Sequence, residues 1–315
     1  MKNWIRIELF VLLFALAAAS FNSCKEQKSE NNDELALSKE ITDKTPGKQL
    51  SKEFKSYWYA GDAEVTSYKL EQARYGEIRE GHAVLIYVTE PFLADKQVKA
   101  DQSNPQNIPV LKLNSTKKYL TGIYPYSIMS STFYPVYDNQ HAIKVTNSVQ
   151  EWCGHVYAQI NNRDKFEILS YSYFESEADQ NIKVDKTILE NELWNKIRID
   201  PANLPTGDLQ LIPSLEYIRL GHKEIKAYAA KAELIDEEDT YSYELHYPEL
   251  ERSLKITINK EFPFAIEGWS ESFKSGFGDN AKTLTSTATK NKVLKTPYWK
   301  QNGNKDVFLR DSLGI

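Results

Sequence analysis

Glu151-Trp152-Cys153-Gly154-His155 is the most concentrated group of reactive side chains in the chain. A Cys beside a His could form a nucleophile–base pair, or part of a soft metal site if Met129 lies nearby in space. Nucleophile and base must be within hydrogen-bond reach, and a third group must orient the base. On a strand, Cys153 and His155 are two apart and share a face, whereas Trp152 points the other way. Two ligands are fewer than the three or four that zinc uses, so no metal or cofactor is expected. Free Cys is among the most buried residue types, so a core position is expected for Cys153. Cys153 and His155 remain the candidate catalytic residues, and Trp152 a candidate binding residue.

Three further stretches could do chemistry. Glu175, Glu177 and Asp179 could include a carboxylate pair for acid/base work, which depends on their separation in space. Asp236-Glu237-Glu238-Asp239 is acidic enough for calcium, yet lacks the spaced oxygens and central Gly of a calcium loop. It is expected to be a solvated hairpin tip. Gly276-Phe277-Gly278-Asp279-Asn280-Ala281 matches the dinucleotide fingerprint on paper, but that loop works only between a strand and a helix. A Thr-rich stretch, Lys282–Thr289, follows instead, so a hairpin turn is expected. Nucleophile-elbow, zinc-protease and phosphate-loop motifs do not occur.

The elements that must position these residues read mostly as strands. Val65–Ala73, Ile143–Val149 and Lys223–Leu234 alternate, and Val84–Val88 is continuously apolar; Val, Ile, Thr and Tyr suit pleated, half-buried surfaces. Further strands are expected at Pro109–Leu113, Gly122–Met129, His155–Ile160, Phe166–Phe174, Leu209–Ile218, Tyr241–His246, Leu254–Asn259, Ile266–Phe273 and Leu284–Leu294. Turns are expected at Arg79–Gly81, Asn161–Asp164, Asp236–Asp239 and Phe277–Asn280. From Asp185 to Ile199 the apolar residues recur at helical spacing, with Asp185 as N-cap and Pro201 as the stop. A shorter helix is expected near Asp306–Leu313. The class is mainly β (α+β): an antiparallel, strongly curled sheet or open barrel with one connecting helix. Arg79-Glu80-Gly81-His82 and Arg219-Leu220-Gly221-His222 echo each other on either side of that helix. The simple account is two hairpins that each need a glycine; the other is two similar halves joined by the helix. Tyrosine is abundant, 19 of 315 residues, and Tyr124, Tyr126, Tyr171, Tyr173, Tyr241 and Tyr243 fall in strand regions. Such side chains suit a binding surface or the half-buried faces of a sheet.

The N-terminus reads as an address. Lys2 and Arg6 precede an apolar run, Leu9–Ala19, which fits a secretory signal of about 7–15 apolar residues and falls short of the about 20 that span a membrane. Phe21-Asn22-Ser23-Cys24 then resembles the cleavage box of bacterial lipoproteins, which makes Cys24 the expected lipid-attachment residue and residues 1–23 the signal. Several acyl chains, at about 0.8 kcal/mol per buried methylene, hold such a protein to a membrane. Residues 24–51, rich in Lys, Glu, Asn and Ser, read as a flexible tether, and residues 52–315 as a β-rich envelope domain. Losing Lys2, Arg6 and Glu8 with the signal takes the formal net charge from −5 to −6; a mildly acidic chain lacks the basic footprint that nucleic acid requires. With Cys24 lipidated, Cys153 is left without a disulfide partner.

Together with the anchor, Ser56-Tyr57-Trp58-Tyr59-Ala60-Gly61, Gln150-Glu151-Trp152-Cys153-Gly154-His155 and Phe273-Lys274-Ser275-Gly276-Phe277-Gly278 resemble an uncharacterised lipoprotein family of flavobacteria and relatives. The resemblance covers most of the mature chain. Members carry the label "septum formation inhibitor Maf". Maf proteins are cytoplasmic nucleotide pyrophosphatases of α/β fold with a Ser- and Arg-rich phosphate-binding segment at the N-terminus, where this chain has an export signal. The expectation is therefore a lipid-anchored envelope protein of the outer membrane, a non-enzymatic binding or scaffold protein for a lipid, glycan or envelope protein. The alternative is an envelope hydrolase using Cys153 with His155, or a carboxylate pair.

Overall fold

The computed structural model describes residues 50–137 and 141–315. The expected signal, Cys24 and nearly all of the expected tether lie outside them. The described chain begins at buried Leu50 and helix α1 (Lys52–Trp58), whose first turn is capped by Ser51 Oγ accepting from Phe54 N at 3.0 Å. Strands β1 (Ala63–Arg74), β2 (Glu77–Leu93), β3 (Val98–Lys99), β4 (Ile108–Thr121), β5 (Tyr124–Pro135), β6 (Lys144–Glu151), β7 (Gly154–Asn162), β8 (Phe166–Tyr171) and β9 (Gln180–Val184) follow. The chain then forms β10 (Ile188–Leu189), helix α2 (Glu190–Ile199), β11 (Gly207–Ile212) and helix α3 (Leu215–Leu220). It ends with β12 (Tyr228–Asp236), β13 (Thr240–Tyr247), β14 (Arg252–Asn259), β15 (Ile266–Ser275), β16 (Lys282–Thr296) and helix α4 (Phe308–Leu313).

All sixteen strands join one sheet in the order β10-β11-β12-β13-β14-β15-β16-β1-β2-β4-β5-β6-β7-β8-β9, with β3 paired to β2. Every ladder is antiparallel except the short β10–β11 pair. The first and last long strands, β1 and β16, meet in the middle, and the open edges are β9 and β10. The ladders support the mainly-β, antiparallel class and not the strong curl or barrel expected with it. Closure is unnecessary because helices cover the apolar surface: α2 and α3 supply Leu193, Ile197 and Tyr217 to the largest core cluster, beside Tyr68, Leu85, Leu113, Leu254 and Trp269 from the strands. On the opposite side, Leu313 of α4 packs with Ala63, Val65, Val84 and Val88.

Several expected boundaries move, each for a physical reason. The helix expected from Asp185 starts at Glu190, because Ile188 and Leu189 are extended and pair in parallel with Leu211 and Ile212. Asp185 is not its cap but a surface partner of Lys165 at 2.8 Å. The strand expected over Leu209–Ile218 ends at Ile212; Ser214 Oγ accepts from Tyr217 N at 3.2 Å and starts α3. The turn expected at Arg79–Gly81 is the interior of β2, and the actual turn is Tyr75-Gly76, where both residues have positive φ (55° and 75°). Gly81 is there because a Cβ would stand 2.2 Å from Lys118 O of the neighbouring β4. Gly221, the other glycine of the echo, closes α3 instead. Neither copy is a hairpin.

Candidate functional site

The arginines that fix α2 build the site. At the C-terminal end of the helix, Arg198 Nη1 and Nη2 donate to Glu64 Oε1 and Oε2 of β1, each at 2.7 Å, and Nε donates to Pro263 O at 2.9 Å. Tyr57 OH donates to the same carboxylate at 2.6 Å, and the guanidinium lies 5.0 Å from the Trp58 ring and 4.7 Å from that of Tyr87. At the N-terminal end, Glu190 accepts from Arg252 Nη2 at 2.8 Å and from Tyr247 OH at 2.8 Å. Arg252 Nε donates to Glu271 of β15 at 2.7 Å, and its plane lies 4.2 Å from the Tyr217 ring. Burial alone would raise the Glu190 pKa; the charge and hydrogen bonds of Arg252, with those of Tyr247 and Ser214, outweigh it and hold the carboxyl below its usual range.

Around this second arginine lies a partly open cavity with about 60 Å³ of water-accessible space. Its walls come from β1, β2, β4, β5, β14 and β15 and from α2 and α3. Leu85, Leu113, Leu254 and Phe273 form apolar wall, and Trp194 meets Trp269 edge to face with centroids 5.2 Å apart. The charged lining is Lys117, Glu190, Glu216, Arg252 and Glu271. Lys117 Nζ donates to Glu216 Oε1 at 2.8 Å, 5.9 Å from the Trp269 ring centre. Burial would depress the Lys117 ammonium, yet Glu216 and Glu271 outweigh it and raise its pKa above the ordinary lysine value. Burial pushes the Tyr217 phenol up to about 12. Apolar walls with a few placed polar groups are the usual make-up of a small-molecule site.

None of the candidate catalytic or binding residues expected from sequence lines this cavity. Cys153 is exposed, not in the core: Trp152-Cys153 is the two-residue tip of the β6–β7 hairpin, closed by the Glu151–Gly154 pair. Cys153 N donates to Glu151 Oε2 at 2.7 Å, which holds the tip in place. The hydrogen bond and charge of Glu151 raise the thiol pKa, which works against a thiolate. His155 is exposed on β7 opposite Gln150, with no orienting partner among the described residues, and Met129 lies opposite Ser148, well back from the tip. Among the described residues no cluster of three potential metal ligands occurs.

Trp152 is 68% exposed and stacks near Tyr124 with centroids 6.2 Å apart. It shares one end of the sheet with the other tips that expose apolar side chains, Ile123, Tyr173 and Phe277. Of the carboxylates, Glu175 and Asp179 are exposed, and Glu177 is partly buried. Glu177 Oε1 lies 2.6 Å from His222 Nδ1, and Oε2 accepts from Ser172 Oγ at 2.6 Å. Asp236–Asp239 is a hairpin tip pinned by Lys260, and Gly276–Ala281 the β15–β16 turn, as expected.

The cavity residues did carry a sequence signal. Leu111, Leu113, Ser115, Lys117 and Tyr119 share one face of β4, and Trp269, Glu271 and Phe273 share one face of β15. A charge on an otherwise apolar face is the mark of a paired interior group.

Comparison with known proteins adds little. No family model matches the chain, and no curated protein does. Among solved structures, a porin-like protein from Bacteroides uniformis is similar over 73% of this chain and 96% of that one, at 10% identity and a TM-score of 0.22. A likeness that weak assigns neither fold nor role. No helix among the described residues is long and apolar enough to cross a membrane.

Proposed function

We propose that this chain is a lipid-anchored, non-enzymatic binding protein of the cell envelope, held at the outer membrane, whose ligand enters the cavity beside α2. The cavity carries this reading: about 60 Å³ of water-accessible space walled by leucines, two tryptophans and a phenylalanine, with a few hydrogen-bonding groups. The basic, apolar and small-residue order ahead of Cys24 supports the anchor. The antiparallel sheet and the missing phosphate-binding segment speak against the nucleotide pyrophosphatase chemistry of the Maf label. The exposed Cys153, with its raised pKa, and a His155 without an orienting partner among the described residues speak against the Cys–His form of the hydrolase alternative.

The described residues from Leu50 belong to one compact unit, so the protein lacking residues 1–24 can be tested. Incubated with an envelope extract of its source and analysed by native mass spectrometry, it should carry an adduct of defined mass. A clean unliganded mass would overturn the binding reading. Separately, Cys24→Ala should move the full-length protein from the membrane pellet to the soluble fraction; retention in the pellet would overturn the anchor.

A further inference from the structure

The charges lining the cavity do not balance. Glu190, Glu216 and Glu271 face two cations, Lys117 and Arg252. Both cations are already committed. Arg252 is 1% exposed, and its Nε, Nη1 and Nη2 donate to Glu271 and Glu190. Lys117 is held by Glu216 at 2.8 Å. An anion entering here would meet one more carboxylate than cations, with both cations already paired to carboxylates.

The acceptors are in the opposite position. Glu271 and Glu216 each engage one oxygen, Oε1, among the described hydrogen bonds, and their side chains keep 11% and 14% exposure in a region otherwise buried. Gln72, 1% exposed and also on the cavity wall, has an Oε1 with no hydrogen-bond partner; its Nε2 donates to Ala73 O and Ser286 Oγ. A buried acceptor left unmade costs about 1–3 kcal/mol, and this oxygen has almost no accessible surface, so a ligand donor relieves it only once the side chain turns into the cavity. Trp194 and Phe273 also line the cavity, and aromatic rings attract a cation to their faces.

We propose that the cavity binds a ligand bearing a positively charged amine next to an apolar body, with the amine between Glu271, Glu216 and Gln72 and the body against the leucines and tryptophans. This rests on the binding reading above and deepens it. The amine could belong to an aminolipid headgroup or to a small free amine. The mass of the adduct captured from the envelope extract separates the two.

The test uses three probes of one shape titrated calorimetrically into the protein lacking residues 1–24: phenethylamine, phenethyl alcohol and phenylacetate. The amine should bind at least tenfold more tightly than the alcohol, and phenylacetate weakest of all. Glu271→Gln should narrow the amine–alcohol gap to under threefold. Glu216→Gln is the second variant, with near-ultraviolet circular dichroism to confirm that each remains folded. Equal binding of amine and alcohol, tighter binding of phenylacetate, or an amine advantage that survives both variants would overturn the assignment. Failure of all three probes while an extract adduct still forms would sink the amine assignment and leave the binding reading standing. Failure of both would sink the two together.

Discussion

The two ends of α2 carry the same device with different outcomes. At each end an arginine almost wholly out of solvent meets a glutamate through two donors, Arg198 with Glu64 and Arg252 with Glu190. Around Arg198 neighbours close in: Trp58 and Tyr87 lie against its plane, and Tyr57 and Thr66 complete the carboxylate. Around Arg252 a second carboxylate, Glu271, approaches from β15 and the packing stops short, leaving the cavity. The first end acts as a clamp and the second as a wall. Buried ion pairs contribute little net stability over apolar replacements, so a surplus carboxylate facing empty space points to use rather than stability.

The largest expected effect breaks the clamp. Arg198→Met leaves Glu64 buried without its partner, which costs about 3–5 kcal/mol; urea denaturation reads it as a fall in midpoint. Glu271→Gln should cost less, about 1.5–3 kcal/mol at most, the worth of a hydrogen bond to a charged group, because Arg252 keeps Glu190. Comparable losses in the two variants would remove the distinction between clamp and wall.

Gly81→Ala comes next. Its Cβ would meet Lys118 O at 2.2 Å, so β2 and β4 must part. Overpacking of this kind costs about 1–3 kcal/mol. A variant as stable as the parent would show that the glycine is a turn residue after all, as the sequence suggested.

Acid should weaken both ends. Burial would raise the Glu64 pKa, but the charge and hydrogen bonds of Arg198, with those of Tyr57 and Thr66, hold it below its ordinary value of 4.5, as Arg252 does for Glu190. With folded values below unfolded ones, the unfolded chain takes up protons first as pH falls. The stability from these pairs is therefore complete above the unfolded value and is lost as pH drops from about 4.5 through the folded values. The midpoint in urea should be flat near neutrality and fall below that point. In Arg198→Met the acid fall should be shallower, since one of the two depressed carboxylates no longer has its arginine.

The smallest effect is at the exposed hairpin. Cys153→Ser should shift stability by no more than about 0.5 kcal/mol, as surface substitutions do, and leave ligand capture unchanged. Loss of capture would bring the β6–β7 tip back as the functional site.

The alternation of strands in this chain was legible because its period of two repeats over many residues, and the class follows from it. Glycines misled where a close approach imitates a turn, as at Gly81. The helix at 190–199 was legible from Leu193, Trp194 and Ile197, but its start was not, since Ile188 and Leu189 fit a helical stripe as well as the strand they form. For the site, local density of reactive types favoured Glu151–His155, which proved to be a solvated tip. The cavity draws Lys117, Glu190, Arg252 and Glu271 from four separate elements, and their meeting depends on strand order that no local pattern encodes.

The measurement that bears most directly on the central claim is native mass spectrometry of Leu113→Trp after exposure to the envelope extract. Leu113 is 4% exposed and lines the cavity, so the larger ring has empty space to occupy. The account expects the adduct to form on the parent protein and on Cys153→Ser and to be absent from folded Leu113→Trp. An adduct that persists on Leu113→Trp would place the ligand elsewhere and contradict it.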